Sequence, residues 1–395
     1  MSINEKMLSL GSKRSIIREI FEYSKTRATE IGAENVFDFS LGNPSVNPPE
    51  IINETLKELI LTENPTSLHG YTSAQGDLAT RVAVANNINT NFNVGITPNH
   101  IYMTCGAAAS LTISLKAVLN EGEECIVFAP FFTEYRVFVQ NAGGNLVISK
   151  PNYANFQIDF DDFESKITSK TRAVIINSPN NPSGVVYSAD TITKLSNILK
   201  EKSKLYGKPI YLIADEPYRE LVYDGIEVPY VMNYYDNTIV CYSFSKSISL
   251  PGERIGYIAV NPKMQNATDV YLSVCGAGRS LGFVCAPSIF QKMVAKCIGV
   301  TSNVNAYKEN RDILYNALTK LGFSCVKGDG AFYLLLKAPN GNDFDFYEKA
   351  KKHEILFVPC SDFGIDGYVR IAYCVSKERI VNSLKAFEKL AKEVL

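Results

Sequence analysis

Residues 173–214 read AVIINSPNNPSGVVYSADTITKLSNILKEKSKLYGKPIYLIA. An apolar run, 173–177, gives way to a turn punctuated by two prolines and a glycine. A helical pattern follows over 189–206, and then a second apolar run over 210–214. Continuous apolar strands separated by a helix are the mark of a parallel sheet buried on both faces. Working outward, runs of the same character occur at 101–104, 125–129, 146–149, 239–243 and 255–260, with helical patterns at 107–120 and 135–142. The expected fold is α/β: a mostly parallel seven-stranded sheet flanked by helices. After about residue 286 the pattern changes. Helices at 288–300 and 306–321 precede short strands at 330–337, 356–359 and 368–373, and a helix at 377–394 follows them. A large domain over 45–285 is expected. A smaller α+β domain would combine residues 1–44 with 286–395.

Composition narrows the function. The chain has 395 residues, 46% of them hydrophobic, with 40 basic against 41 acidic side chains and a net charge of −1. No sign dominates, so neither nucleic acid nor an anionic membrane is an expected partner. No stretch approaches the roughly 18 apolar residues of a membrane span, and the polar start carries no apolar signal core. A soluble cytoplasmic protein is expected. Nine cysteines without a C-x-x-C pair, together with three histidines, argue against a disulfide scaffold and a metal site. The segment Gly276-Ala277-Gly278-Arg279-Ser280-Leu281-Gly282 has the wrong spacing for a dinucleotide loop.

In open α/β sheets ligands bind beyond the carboxyl ends of the strands, so the residues just after each run carry the chemistry. Lys246, in Ser243-Phe244-Ser245-Lys246, follows the strand 239–243. In a partly desolvated pocket its amine loses its proton readily enough to form an imine with an aldehyde; a surface lysine is the plain alternative. Asp215 ends the run 210–214, where its carboxylate could hold a proton on a ring nitrogen or merely cap a turn. Tyr218, in Asp215-Glu216-Pro217-Tyr218, could reach the same ligand or pack under the turn. Cys105-Gly106-Ala107-Ala108-Ala109-Ser110 joins a strand to a helix. Small residues and free helix-terminal amides suit a phosphate there, and also suit tight packing. Arg254, with the hydroxyls of Ser243 and Ser245, could complete an anion site or simply start a strand. Asn181 is presented by the rigid Asn177-Ser178-Pro179-Asn180-Asn181-Pro182-Ser183-Gly184 turn, and its amide could donate to a phenolate-like oxygen. Phe132, beside Phe131, could stack on a planar ring or fill the core. Arg370, among apolar neighbours in Tyr368-Val369-Arg370-Ile371-Ala372-Tyr373, needs a partner, either a substrate carboxylate or an internal acid.

In this order and spacing, N-x-P-x-N-P-x-G, D-E-P-Y and S-x-S-K-x₇-R resemble the class I/II aminotransferases of pyridoxal-phosphate (PLP) fold type I, from Ser40-Leu41-Gly42-Asn43-Pro44 to Arg370. The resemblance implies that Lys246 carries PLP as a Schiff base and shuttles the proton, and that Asp215 pairs with the pyridine nitrogen. Asn181 and Tyr218 would contact the ring oxygen and Phe132 would stack on the ring. Gly106, Ala107, Ala108, Ser243, Ser245 and Arg254 would hold the phosphate. Arg370 would bind the substrate α-carboxylate with Asn181 and Gly42 nearby. Tyr71, in Gly70-Tyr71-Thr72-Ser73-Ala74-Gln75-Gly76, would reach the phosphate of a neighbouring subunit, which makes the expected assembly a homodimer. The implied activity belongs to amino acid metabolism: transfer of an amino group from an L-amino acid, aspartate or aromatic, to a 2-oxo acid such as 2-oxoglutarate. A PLP-dependent carbon–sulfur β-lyase is the alternative, and a non-catalytic PLP-binding protein a further one. For an acidic donor, Arg14, Arg18, Arg81 and Arg279 are candidates for a second cation.

Overall fold

The structure, a computed structural model, describes residues 3–12 and 15–395. Strands β2 (Ile101–Thr104), β3 (Glu124–Phe128), β4 (Asn145–Ser149), β5 (Thr171–Asn177), β6 (Tyr211–Asp215), β7 (Thr238–Ser243) and β8 (Gly256–Val260) form one seven-stranded sheet. Its order is β2-β8-β7-β6-β5-β3-β4. The run from β7 to β4 is parallel, and β8 is antiparallel to both its neighbours. The expected α/β architecture is therefore present.

The sheet is buried on both faces because successive side chains point opposite ways. Ile213, Cys241 and Ile258 enter one apolar cluster, while Leu212, Val240 and Ala259 enter the other. Helix α4 (Ala107–Val118) covers the first face, together with α8 (Ala267–Leu281). The glycine-bearing segment 276–282 lies within α8 and at its C-cap, consistent with its exclusion as a nucleotide loop. The second face carries α2 (Glu50–Thr62), α3 (Leu78–Phe92) and α6 (Ala189–Leu205).

Beyond residue 325 a four-stranded sheet has the order β12-β13-β10-β9, built from β9 (Cys325–Val326), β10 (Tyr333–Lys337), β12 (Val358–Pro359) and β13 (Tyr368–Ala372). It packs under α10 (Val304–Lys320) and α11 (Lys377–Val394). The N-terminal part joins here: β1 (Phe37–Asp38) pairs in parallel with β11 (Ile355–Leu356). Three expectations need correction. The strand over 330–337 begins only at Tyr333, because Gly330 and Ala331 donate their amides to the carbonyls of Gly184 and Leu221. The run 356–359 is two short strands with different partners, β1 for β11 and β13 for β12. Helix α9 (Ser288–Cys297) packs on α2 and α3 within the large sheet's second core, so a boundary at 286 falls one helix too early. Among the described residues no helix is long and apolar enough to cross a membrane.

Candidate active site

Strands β5, β6 and β7 end side by side, with Asn177 opposite Asp215 and Asp215 opposite Cys241. Their carboxyl ends floor a cavity of about 390 Å³ that the loop around Gly42 and the strand carrying Arg370 close from the other side. Lys246 sits in the one-turn helix α7 (Phe244–Ser247), entered directly from β7. Its Nζ donates to the Gly42 carbonyl at 2.7 Å. Burial pulls its ammonium down to about 8; Cys374 opposes that, while Arg254 and Arg370 add to it. A lysine poised there supplies free amine near neutral pH, as imine chemistry requires.

Asp215 is 5% exposed and lines the same cavity. Its Oδ2 accepts from the Tyr135 hydroxyl of α5 (Tyr135–Asn141), and its Oδ1 has no partner. Burial lifts the carboxyl to about 7, with Tyr135 opposing and Glu216 adding. An acid in this state awaits a positively charged donor. The folded chain thus binds this proton up to about pH 7, whereas an unfolded Asp releases it near about 3.9. Stability is lost as pH rises between the two values, and the penalty is complete above about 7. Asp215→Asn should therefore raise the melting temperature of the cofactor-free chain at pH 8, by an amount that shrinks as pH falls toward 4. It should also lower turnover by roughly 10²-fold or more, since it removes an ionisable group that lines the cavity. Thermal melts across pH, alongside activity, check both; a destabilised variant at pH 8 would contradict the reading.

An anion seat adjoins the lysine. Helix α4 begins at Gly106 without a side-chain cap, so the first-turn amides of Ala107 and Ala108 face the cavity unpaired. Gly106 has φ +89°, and a Cβ there would lie 3.0 Å from the Arg254 guanidinium. The Ser243 and Ser245 hydroxyls stand 2.8 Å apart on the same wall, and Arg254 lines it as well.

Opposite, Arg370 is 2% exposed. One terminal nitrogen donates to Asn181 Oδ1 at 3.1 Å and the other to the Ser40 carbonyl, and its Nε has no partner. The guanidinium lies over the rings of Tyr333, at 4.7 Å, and Phe363, at 5.2 Å. Among the described residues no carboxylate pairs with it, so the internal salt bridge weighed from the sequence is not formed. Asn181 is held in turn by its backbone N–H, which donates to Asn177 Oδ1 at 2.7 Å. Tyr218 shares a hydrogen bond of 3.0 Å with Tyr333, and burial keeps its phenol protonated. Phe132 lines the cavity and meets Tyr135 edge-on at 5.7 Å. Gly42 has to be a glycine: a Cβ there would sit 2.0 Å from the Tyr333 hydroxyl.

The structure thus gathers Gly42, Ala107, Ala108, Phe132, Asn181, Asp215, Tyr218, Ser243, Ser245, Lys246, Arg254 and Arg370 around one cavity, with Gly106 at its edge. It does not bring Tyr71 there; that side chain is 99% exposed beside a separate surface hollow. Of the candidate second cations, Arg18 and Arg279 are exposed outside the cavity, Arg81 bonds the carbonyls of Gly76 and Pro98, and Arg14 lies outside the described residues. Tyr135 and Tyr333 were not anticipated. Tyr135, three residues past Phe132, could have been flagged by its place at the start of the helix that follows β3; Tyr333, 115 residues from Tyr218, gave no local signal.

The family model for aminotransferase class I and II matches residues 34–387. An aspartate aminotransferase of Thermotoga maritima is 30% identical over 92% of this chain and 94% of its own length. An aromatic-amino-acid aminotransferase of Thermococcus litoralis is 28% identical over 96% of each. A solved aminotransferase structure from Eubacterium rectale superposes with a TM-score of 0.98 at 55% identity, covering 100% of this chain and 99% of that one. The solved Thermotoga maritima aspartate aminotransferase gives 0.86 at 27%, covering 98% and 99%.

Proposed function

The chain belongs to the class I and II aminotransferases, and on that premise we propose that it moves the amino group of an acidic or aromatic L-amino acid to a 2-oxo acid such as 2-oxoglutarate. It is a transaminase whose cofactor is pyridoxal phosphate. The residues present fit that group: an unpartnered buried carboxylate oxygen on Asp215, an uncapped helix start beside Arg254, and a lysine whose ammonium is easily deprotonated. When bound, the cofactor supplies an aldehyde for amines and a ring that accepts electrons from the substrate Cα.

The observation that carries the substrate class is Arg370, a buried guanidinium with a free Nε and, among the described residues, no acidic partner, in the cavity that holds Lys246. A bidentate α-carboxylate would satisfy it. Asn181, bonded to Arg370, would fix that carboxylate's orientation and also reach the cofactor ring oxygen beside Tyr218. Lys246 would hold the cofactor and, once freed, take the Cα proton and return it on the cofactor side. Asp215 would keep the ring nitrogen protonated, and Phe132 would pack on the ring. The amides of Ala107 and Ala108, with Gly106, Ser243, Ser245 and Arg254, would hold the phosphate. Tyr71 is proposed to complete that phosphate site in the neighbouring subunit of a homodimer, in line with its exposure here; full activity in a monomer at assay concentration would rule this out.

The names of the relatives favour aspartate and aromatic donors, and Ile17 and Leu41 give the cavity an apolar wall that suits a ring. The test is a panel of L-amino acids with 2-oxoglutarate as acceptor. The highest kcat/KM is expected for aspartate, phenylalanine or tyrosine. A clear preference for a basic or small aliphatic donor would overturn the substrate assignment.

A further inference from the structure

A second cavity, of about 370 Å³, borders the large sheet's second core, with Phe244 and Ser247 of α7 in its wall. Its size falls within the range of small-molecule sites. Tyr242 and Tyr257 are stacked on its wall, with centroids 4.8 Å apart, and Phe244 stands edge-on to Tyr242 at 5.1 Å. Phe92 and Tyr230 form a second stacked pair at 4.0 Å.

The lining carries one base, Arg219, and one acid, Glu220, and a second acid, Glu216, pairs with the base from behind. Arg219 is committed: its Nε bonds Glu216 at 2.6 Å, its terminal nitrogens bond the carbonyls of Val228 and Pro229, and its plane rests on Phe92 and Tyr230. Glu220 is left over. Its Oε1 accepts from the Tyr242 hydroxyl at 2.9 Å, while its Oε2 is buried and has no partner. No Lys, Arg or His forms an ion pair with it among the described residues. The Tyr230 hydroxyl, on a side chain 5% exposed, is also unpartnered. A carboxylate beside several aromatic faces is the chemistry that recognises an organic ammonium: the rings attract the cation through their quadrupoles, and the carboxylate accepts its N–H.

We propose that this cavity is a binding site for an organic ammonium ion of aralkylamine size, held by Glu220, the Tyr230 hydroxyl and the faces of Tyr242 and Tyr257. Burial pushes the Glu220 carboxyl up, with the Tyr242 hydroxyl and Arg219 opposing, and an ammonium would give its free Oε2 the N–H donor it lacks. The inference is independent of the donor amino acid assigned above.

The probe is N,N-dimethyl-2-phenylethylammonium, a tertiary ammonium that cannot condense with the cofactor aldehyde. Titrated calorimetrically into the holoenzyme, it should bind saturably. Its affinity should fall tenfold or more in Glu220→Gln, and by a similar factor in Tyr257→Leu, which removes an aromatic face without touching the carboxylate. Arg370→Ala, which alters the active site alone, should leave it unchanged. The neutral analogue 2-phenylethanol should bind at least tenfold more weakly. Absence of saturable binding to the wild-type holoenzyme would overturn the proposal. So would binding that survives both cavity variants, or binding lost with Arg370.

Discussion

Lys246→Ala is expected to lower turnover by about 10⁴-fold or more and to abolish the covalent trapping of the cofactor by borohydride. The side chain carries two tasks in this account. It anchors the cofactor covalently and it moves the Cα proton, and loss of a positioned general base alone accounts for about 10²–10⁴-fold. The variant should still bind the cofactor non-covalently, because the seat built from α4, Ser243, Ser245 and Arg254 remains. Mass spectrometry after reduction reads the covalent link and a coupled assay reads turnover. The pH dependence follows from the same group. With the ammonium at about 8, capture of added pyridoxal phosphate by the cofactor-free chain should accelerate as pH rises through about 8 and level off above it. Turnover within tenfold of wild type in Lys246→Ala would sink the assignment.

The second large effect concerns Arg370. Truncating one partner of a buried charge pair costs about 2–5 kcal/mol, so Arg370→Ala should reduce kcat/KM for the amino donor roughly 30- to 5,000-fold. Arg370→Lys should recover little, because a point charge cannot reproduce the two-pronged contact and leaves Asn181 or the Ser40 carbonyl unbonded. The loss should be confined to substrates with an α-carboxylate; an amine without one should be turned over equally slowly by both forms. Stability should move the other way. The guanidinium is 2% exposed and, among the described residues, pairs with no acid, so Arg370→Met should leave the melting temperature of the substrate-free chain unchanged or raised. An unchanged kcat/KM in Arg370→Ala would remove the carboxylate role.

Much of this molecule was legible in the sequence, for identifiable reasons. Strands such as 173–177 and 210–214 are apolar without interruption because both faces of the sheet are covered, and their ends fell within two residues of β5 and β6. Lys246, Asp215 and Asn181 stood out because each follows such a strand directly. The remainder depends on contacts that sequence distance conceals. The Tyr218–Tyr333 bond spans 115 residues, and the clash that fixes the loop residue Gly42 comes from Tyr333, at the start of β10. The pairing of 355–356 with β1 could not be read from a run that looks like one strand. Helix α9 carries the same amphipathic pattern as its successor α10, so nothing local reveals that its apolar face turns toward α2 and α3. The unpartnered oxygen of Glu220 was invisible for a related reason: Asp215-Glu216-Pro217-Tyr218-Arg219-Glu220 shows three acids and one base, and only the structure shows which acid the base takes.

The most direct test of the account is a single half-reaction. The protein loaded with pyridoxal phosphate is mixed with one L-amino acid and no acceptor, and the products are counted per site. One equivalent of the matching 2-oxo acid, with the cofactor recovered in its amine form, is the predicted result. Continued release of pyruvate and ammonia from cysteine or cystathionine, with the cofactor still in its aldehyde form and no stoichiometric 2-oxo acid from any other donor, would contradict it.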